Sequence, residues 1–117
     1  MYDKYLITGA TGFLGRTVVE ELVHHDAQVR ALVLHNDPYI NLLPKEVHTI
    51  VGDVCDKNSL ADFFADADSR TCVIHCAGIV SVASRPGPKL YQVNVGGTWR
   101  ILRQCLAHDV GKLIHVS

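Results

Sequence analysis

Gly9-Ala10-Thr11-Gly12-Phe13-Leu14-Gly15 restricts this chain more than any other segment, because its GxxGxxG spacing falls between an apolar run and a helical pattern. The run before it, Lys4 to Thr8, reads as a buried strand. After it, from Phe13 to His25, the apolar residues Leu14, Val18, Leu22 and Val23 recur at helical spacing, and Asp26 is the expected exit. A strand that passes directly into a helix through three glycines is the start of a βαβ unit. Gly9 permits the tight turn, Gly12 allows an anion to approach the backbone, and Gly15 allows the helix to pack closely. The first amides and the dipole of that helix favour negative charge, so the loop can cradle a pyrophosphate. A glycine-rich turn without a ligand has the same local pattern, and the rest of the chain has to decide between them.

Further strands are expected at residues 28 to 34, Val47 to Val51, Thr71 to Cys76 and Lys112 to Val116. A short helix is expected from Ser59 to Ala67, capped by Asn58 or Ser59, and a long one from about Lys89 to His108. The latter has apolar positions at Leu90, Val93, Ile101, Leu102, Cys105 and Leu106. Between Gly78 and Pro88, the serines, glycine and prolines read as a loop at the C-terminal end of a strand. The alternation of strands and helices predicts an α/β, doubly wound parallel sheet. Right-handed crossovers give the strand order 3-2-1-4-5, with a switch point between the first and fourth strands, where ligands bind in such sheets.

Composition removes several function classes. The net charge is −1, from 11 basic and 12 acidic residues without a block of one sign, which argues against nucleic acid as a partner. No apolar run reaches the roughly 20 residues of a membrane span, and the segment Met1-Tyr2-Asp3-Lys4 lacks the apolar stretch of a signal peptide. The four cysteines form no CxxC pair and the seven histidines no HxxxH or HxH pattern, so no metal site is expected. Reduced cysteines suit the cytosol, and a cytoplasmic protein without a membrane partner is the expectation.

Thr8-Gly9-Ala10-Thr11-Gly12-Phe13-Leu14-Gly15 resembles the fingerprint of the extended short-chain dehydrogenase/reductase family, which includes the NAD-dependent epimerases and dehydratases. Gly52-Asp53 is similar to that family's GD pair, His75-Cys76-Ala77-Gly78 to its HxAA segment, and Val93-Asn94-Val95-Gly96-Gly97-Thr98 to its NVxGT motif. The resemblance runs from end to end and is nearest to the dihydroflavonol-reductase-like and sterol-dehydrogenase-like members. Two departures are that Trp99-Arg100 replaces the usual asparagine after GT, and Leu34 stands where NADP-preferring reductases often carry arginine.

The resemblance implies an NAD(P)-binding Rossmann domain over residues 1–117 that binds NAD or NADP. Its implied cofactor contacts are Gly9, Thr11, Gly12, Phe13, Leu14, Gly15, Arg16, His35, Asp53, Val54, Cys76, Ala77, Gly78 and Asn94. Asp53 is expected at the adenine amine, although a carboxylate capping the next helix is an alternative. Asn94 and Ser117 are expected to support an active site without being catalytic themselves. Where the second strand ends, Leu34-His35-Asn36-Asp37 leaves the choice of dinucleotide open: Asp37 could reach a ribose, whereas Arg16 and His35 could support a 2′-phosphate.

The family's chemistry requires a YxxxK pair, and none of Tyr2, Tyr5, Tyr39 or Tyr91 has a lysine four residues on. The expectation is therefore a chain truncated after its fifth strand, without a substrate-binding region, that binds the dinucleotide but is catalytically inactive. It should leave the fifth strand as an exposed edge prone to self-association. The alternative class is a non-catalytic NAD(P)-sensing or protein-interaction module.

Overall fold

The computed structural model describes residues 2–77 and 92–116. The expected loop from Gly78 to Pro88, the first residues of the long helix, and the candidates Gly78 and Ser117 lie outside the described residues.

Five parallel strands, β1 (Lys4–Thr8), β2 (Val29–Val33), β3 (His48–Val51), β4 (Thr71–His75) and β5 (Lys112–His115), form one sheet in the order β3-β2-β1-β4-β5. This is the doubly wound arrangement expected from the sequence. Alternate side chains of the inner strands go to opposite faces, as the two-residue period of a strand requires. Leu6, Leu32 and Val73 join one apolar cluster with Leu60, Phe63, Phe64 and Ile101. Ile7, Ala31, Val33, Cys72 and Ile74 join another with Val19 on the opposite face. The three central strands are therefore covered on both sides, whereas β3 and β5 at the two edges are largely exposed.

Helix α1 (Phe13–His24) covers the second face, and α2 (Leu60–Phe63) and α3 (Thr98–Ala107) cover the first. Val18, Leu22 and Val23 of α1 pack against the second cluster beside the buried Val19, and Ile101 and Cys105 of α3 are buried, as expected. Two positions of those faces need correction: Leu14 is 47 % exposed and Leu106 72 % exposed. Leu14 lies in the first turn of α1, next to the buried Gly15 that packs on the loop. The helix over residues 59–67 is also shorter than expected. A 3-10 turn from Lys57 to Ser59 precedes it, and the cap is Asp56, whose carboxylate accepts the Asn58 amide at 3.0 Å, rather than Asn58 or Ser59. The long helix opens as a π turn from Gln92 to Gly97 before α3.

Helices α1 and α3 are followed by an aspartate in the left-handed region, Asp26 at φ 61° and Asp109 at φ 53°. The amides of Ala27 and Val110 then return to Leu22 and Cys105 at 2.9 and 3.0 Å, closing the last turns. Asp26 is thus the exit expected from the sequence.

Candidate functional site

The C-terminal ends of β1, β2 and β4 open into a cleft of about 330 Å³. Its floor is Gly9, Thr11 and Gly12, one wall is Leu32, Leu34 and Asp37, and the other is Cys76, Ala77 and Val93. Gly52, Asp53 and Val54 close the far end. A second, more open hollow of about 840 Å³ continues outward past His35, Asn36, Pro38 and Tyr39. The first lies at the switch point between β1 and β4, and the second lies beyond the ends of β2 and β3.

The three glycines of the loop do different work. Gly9 has φ +66°, and a Cβ there would stand 2.6 Å from the Cys76 carbonyl carbon, so the exit of β4 is packed directly against the turn. A Cβ at Gly15 would stand 1.9 Å from the Gly9 carbonyl oxygen, so the buried Gly15 seats α1 against the loop itself. Gly12 is different. Its backbone is extended at φ −73°, its nearest neighbour to an added Cβ is the Gly9 carbonyl oxygen at 3.4 Å, and it is exposed at the N-cap of α1 without a side-chain cap. Among the described residues nothing demands a glycine at that position, whereas a ligand lying on the helix terminus would.

Thr11 and Asp37 close the loop against the end of β2. The Thr11 hydroxyl donates to one carboxylate oxygen of Asp37, and the other oxygen accepts the Tyr39 amide at 2.9 Å. The carboxylate is thereby held on the cleft wall with lone pairs to spare. Asp53 is held by its own turn: its amide donates to the Ser59 hydroxyl at 2.9 Å and its carboxylate accepts the Cys55 amide at 2.8 Å. The helix-capping alternative for Asp53 therefore fails, since Asp56 is the cap.

Of the residues singled out in the sequence, Gly9, Thr11, Gly12, Asp53, Val54, Cys76 and Ala77 line the cleft, and His35 lines the outer hollow. Phe13, Leu14 and Arg16 do not line either. Phe13 is 86 % exposed, and Arg16 pairs with Glu20 at 3.8 Å along α1. Asn94 sits exposed on the π turn, with its carbonyl accepting the Thr98 hydroxyl at 2.9 Å. The Cys76 thiol is pushed up by burial, which keeps it protonated and a poor nucleophile.

Sequence reasoning missed Leu32, Gly52 and Val93 as cleft residues, and two buried polar groups beneath the floor. Thr8 and His75 end the paired strands β1 and β4 opposite one another and meet at 2.6 Å between Oγ1 and Nδ1. The signal was their place as the last residues of adjacent strands, but the strand order was needed to read it.

A parallel sheet of order 3-2-1-4-5 with a glycine turn at its switch point defines a Rossmann-type domain, and its relatives place it in the extended short-chain dehydrogenase/reductase family. More narrowly, the chain belongs to the 3-beta hydroxysteroid dehydrogenase/isomerase family, whose model matches residues 6–117. It is 35% identical over 120 residues to 3 beta-hydroxysteroid dehydrogenase type 7 of Homo sapiens, covering 97% of this chain and 32% of that protein. It is 30% identical over 117 residues to a putative dihydroflavonol 4-reductase of Synechocystis, covering 100% of this chain and 33% of the relative. Among solved structures, the Thermus thermophilus UDP-glucose 4-epimerase in complex with NAD superposes with a TM-score of 0.82 at 30% identity, over 94% of this chain and 36% of that one. The chain thus spans about a third of the length of these relatives.

Proposed function

We propose that these residues bind NAD, in preference to NADP, as the dinucleotide-binding part of a dehydrogenase or epimerase. The observation that carries this reading is the pairing of an open helix N-terminus at Gly12 with the anchored Asp37 carboxylate on the same cleft. The amides at the start of α1 suit a pyrophosphate, and the extended backbone at Gly12 leaves its approach clear. Leu32, Val54 and Val93 offer apolar walls for the adenine and ribose.

Asp37 decides between the two dinucleotides. A carboxylate at this wall accepts hydrogen bonds from ribose hydroxyls and repels a 2′-phosphate. Of the described residues, neither basic candidate for a 2′-phosphate lines the cleft: Arg16 is turned to Glu20, and His35 lies in the outer hollow with its Nδ1 at 2.8 Å from the Asn36 side chain. When bound, the cofactor would supply hydride chemistry. The chain's own part is to hold and orient the dinucleotide, and because it contains no YxxxK the reading is binding without turnover by these 117 residues. The four free cysteines fit a reducing compartment, in keeping with a cytoplasmic setting, and no described helix is long and apolar enough to cross a membrane.

The test is a fluorescence titration of the chain with NADH and NADPH, repeated on Asp37→Ala. Tighter binding of NADH, with the preference reduced by about tenfold in the variant, is expected from losing one charged hydrogen-bond acceptor. Equal binding of both dinucleotides by the parent chain would overturn the assignment of NAD.

A further inference from the structure

Beneath the cleft runs a hydrogen-bonded chain whose donors and acceptors can be argued from their partners. The Thr8 hydroxyl oxygen accepts the backbone amide of Ala77 at 3.0 Å and shares that of Cys76, at 3.1 Å, with the Thr8 carbonyl oxygen at 3.2 Å. A hydroxyl has two lone pairs and one proton, so with both lone pairs taken its proton goes to His75 Nδ1, 2.6 Å away. A neutral imidazole then carries its own proton on Nε2, which faces the Thr98 hydroxyl at 3.0 Å. Thr98 in turn donates to the Asn94 carbonyl at 2.9 Å. The chain runs from the exit of β4 through the end of β1 to the π turn ahead of α3.

We propose that His75 is a positioning residue, a neutral imidazole protonated on Nε2 alone, that ties the glycine turn and the wall of the cleft to the turn bearing Asn94. The turn at Gly9 is packed against the Cys76 carbonyl, so whatever fixes the amides of Cys76 and Ala77 also fixes the separation between the floor of the cleft and its wall. Beyond His75, the Thr98 hydroxyl holds the Asn94 carbonyl within the π turn, which spreads the backbone hydrogen bonds from i,i+4 to i,i+5. The imidazole is 1 % exposed and is stacked on His115 of the paired strand β5, with ring centroids 5.4 Å apart. An imidazolium would direct an Nδ1 proton at a hydroxyl without a lone pair left, next to a second histidine. Burial, with the neighbouring His115 adding to it, accordingly brings the pKa of His75 down to about 4.

This inference rests on the cleft being the dinucleotide site, so its tests separate the tautomer from binding. Long-range ¹H–¹⁵N spectra of the histidine-labelled chain, without cofactor, are expected to show one ring held neutral with its proton on Nε2 down to about pH 5, a signal that Thr8→Val perturbs. A ring protonated on Nδ1, or one that titrates near the ordinary histidine value, would overturn the proposal even if no variant folded. Binding is read separately. His75→Asn retains an acceptor for Thr8 and loses the donor to Thr98, whereas His75→Gln does the reverse. NADH affinity should stay within about threefold in the asparagine variant and fall about tenfold in glutamine and in Thr8→Val. Variants that all melt lower but bind NADH equally would reduce His75 to a packing residue and overturn the positioning role. Failure of the parent chain to bind NADH, with the tautomer as described, would count against the function and leave the network standing.

Discussion

Gly12→Asp should separate binding from folding. Gly12 has the φ of an ordinary L-residue, and a Cβ there meets only the Gly9 carbonyl oxygen, at 3.4 Å. As the N-cap of α1 it has no side-chain cap, and aspartate is among the best residues at that position. Stability should therefore be unchanged or rise by a few tenths of a kcal/mol, about 0.3. The same carboxylate would face a bound pyrophosphate. Two unit charges about 4 Å apart at the effective dielectric of a protein surface repel by about 4 kcal/mol. The exposure of Gly12 and salt screening reduce this to roughly 2–3 kcal/mol, or about two powers of ten in Kd. Paired thermal melting and NADH titration measure both quantities. Gly12→Asn, with the same shape and no charge, should lose much less, and added salt should recover part of the deficit in the aspartate variant. A Gly12→Asp chain that melts normally and binds NADH within about twofold of the parent would refute the placement of the pyrophosphate on this loop.

Gly15→Ala should behave in the opposite way. Its Cβ would lie 1.9 Å from the Gly9 carbonyl, so urea denaturation should show a loss of about 3 kcal/mol or a chain that does not fold, and a loss under about 1 kcal/mol would contradict the packing. Acid should weaken the fold through His75. Its folded-state pKa of about 4 lies below the ordinary histidine value of 6.5, so the unfolded chain takes up the proton first. Stability is then full above the unfolded value and is lost as pH falls toward the folded one, by about 2 kcal/mol at about pH 5, and the loss should be smaller in His75→Asn. An equal pH dependence in that variant would assign the effect to other groups. At the sheet edge, Ile114 is 39 % exposed on β5, so sedimentation should show concentration-dependent association that Ile114→Lys reduces, and a strictly monomeric parent would refute that surface as a contact.

Much of this architecture is written in short-range pattern. The five apolar runs, the glycine turn after Thr8 and the exit at Asp26 each depend on residues within one strand or one helical turn, where alternation, helical spacing and backbone preference act. The observed strand order is one that the alternation of elements and right-handed crossovers allow, and it is the one expected. Helix ends and faces were less legible. Asp56 rather than Asn58 or Ser59 takes the cap, and Leu14 and Leu106 are exposed, because where a helix starts and which of its apolar residues meet a neighbour depend on groups outside the helix.

The amino-acid sequence by itself determined the fold class and the place of the glycine turn that floors the cleft, since a strand, three glycines and a helix in succession suffice to build such a turn. Tertiary structure alone decided which polar groups complete it. Thr11 meets Asp37 across 26 positions and Thr8 meets His75 across 67, and in each case the sheet brings together groups whose separation along the chain carries no periodic signal. The identity of the acid on the cleft wall and the protonation of the buried histidine follow from those meetings. Both depend on burial and on the hydrogen bonds that remain once strands β1, β2 and β4 lie side by side.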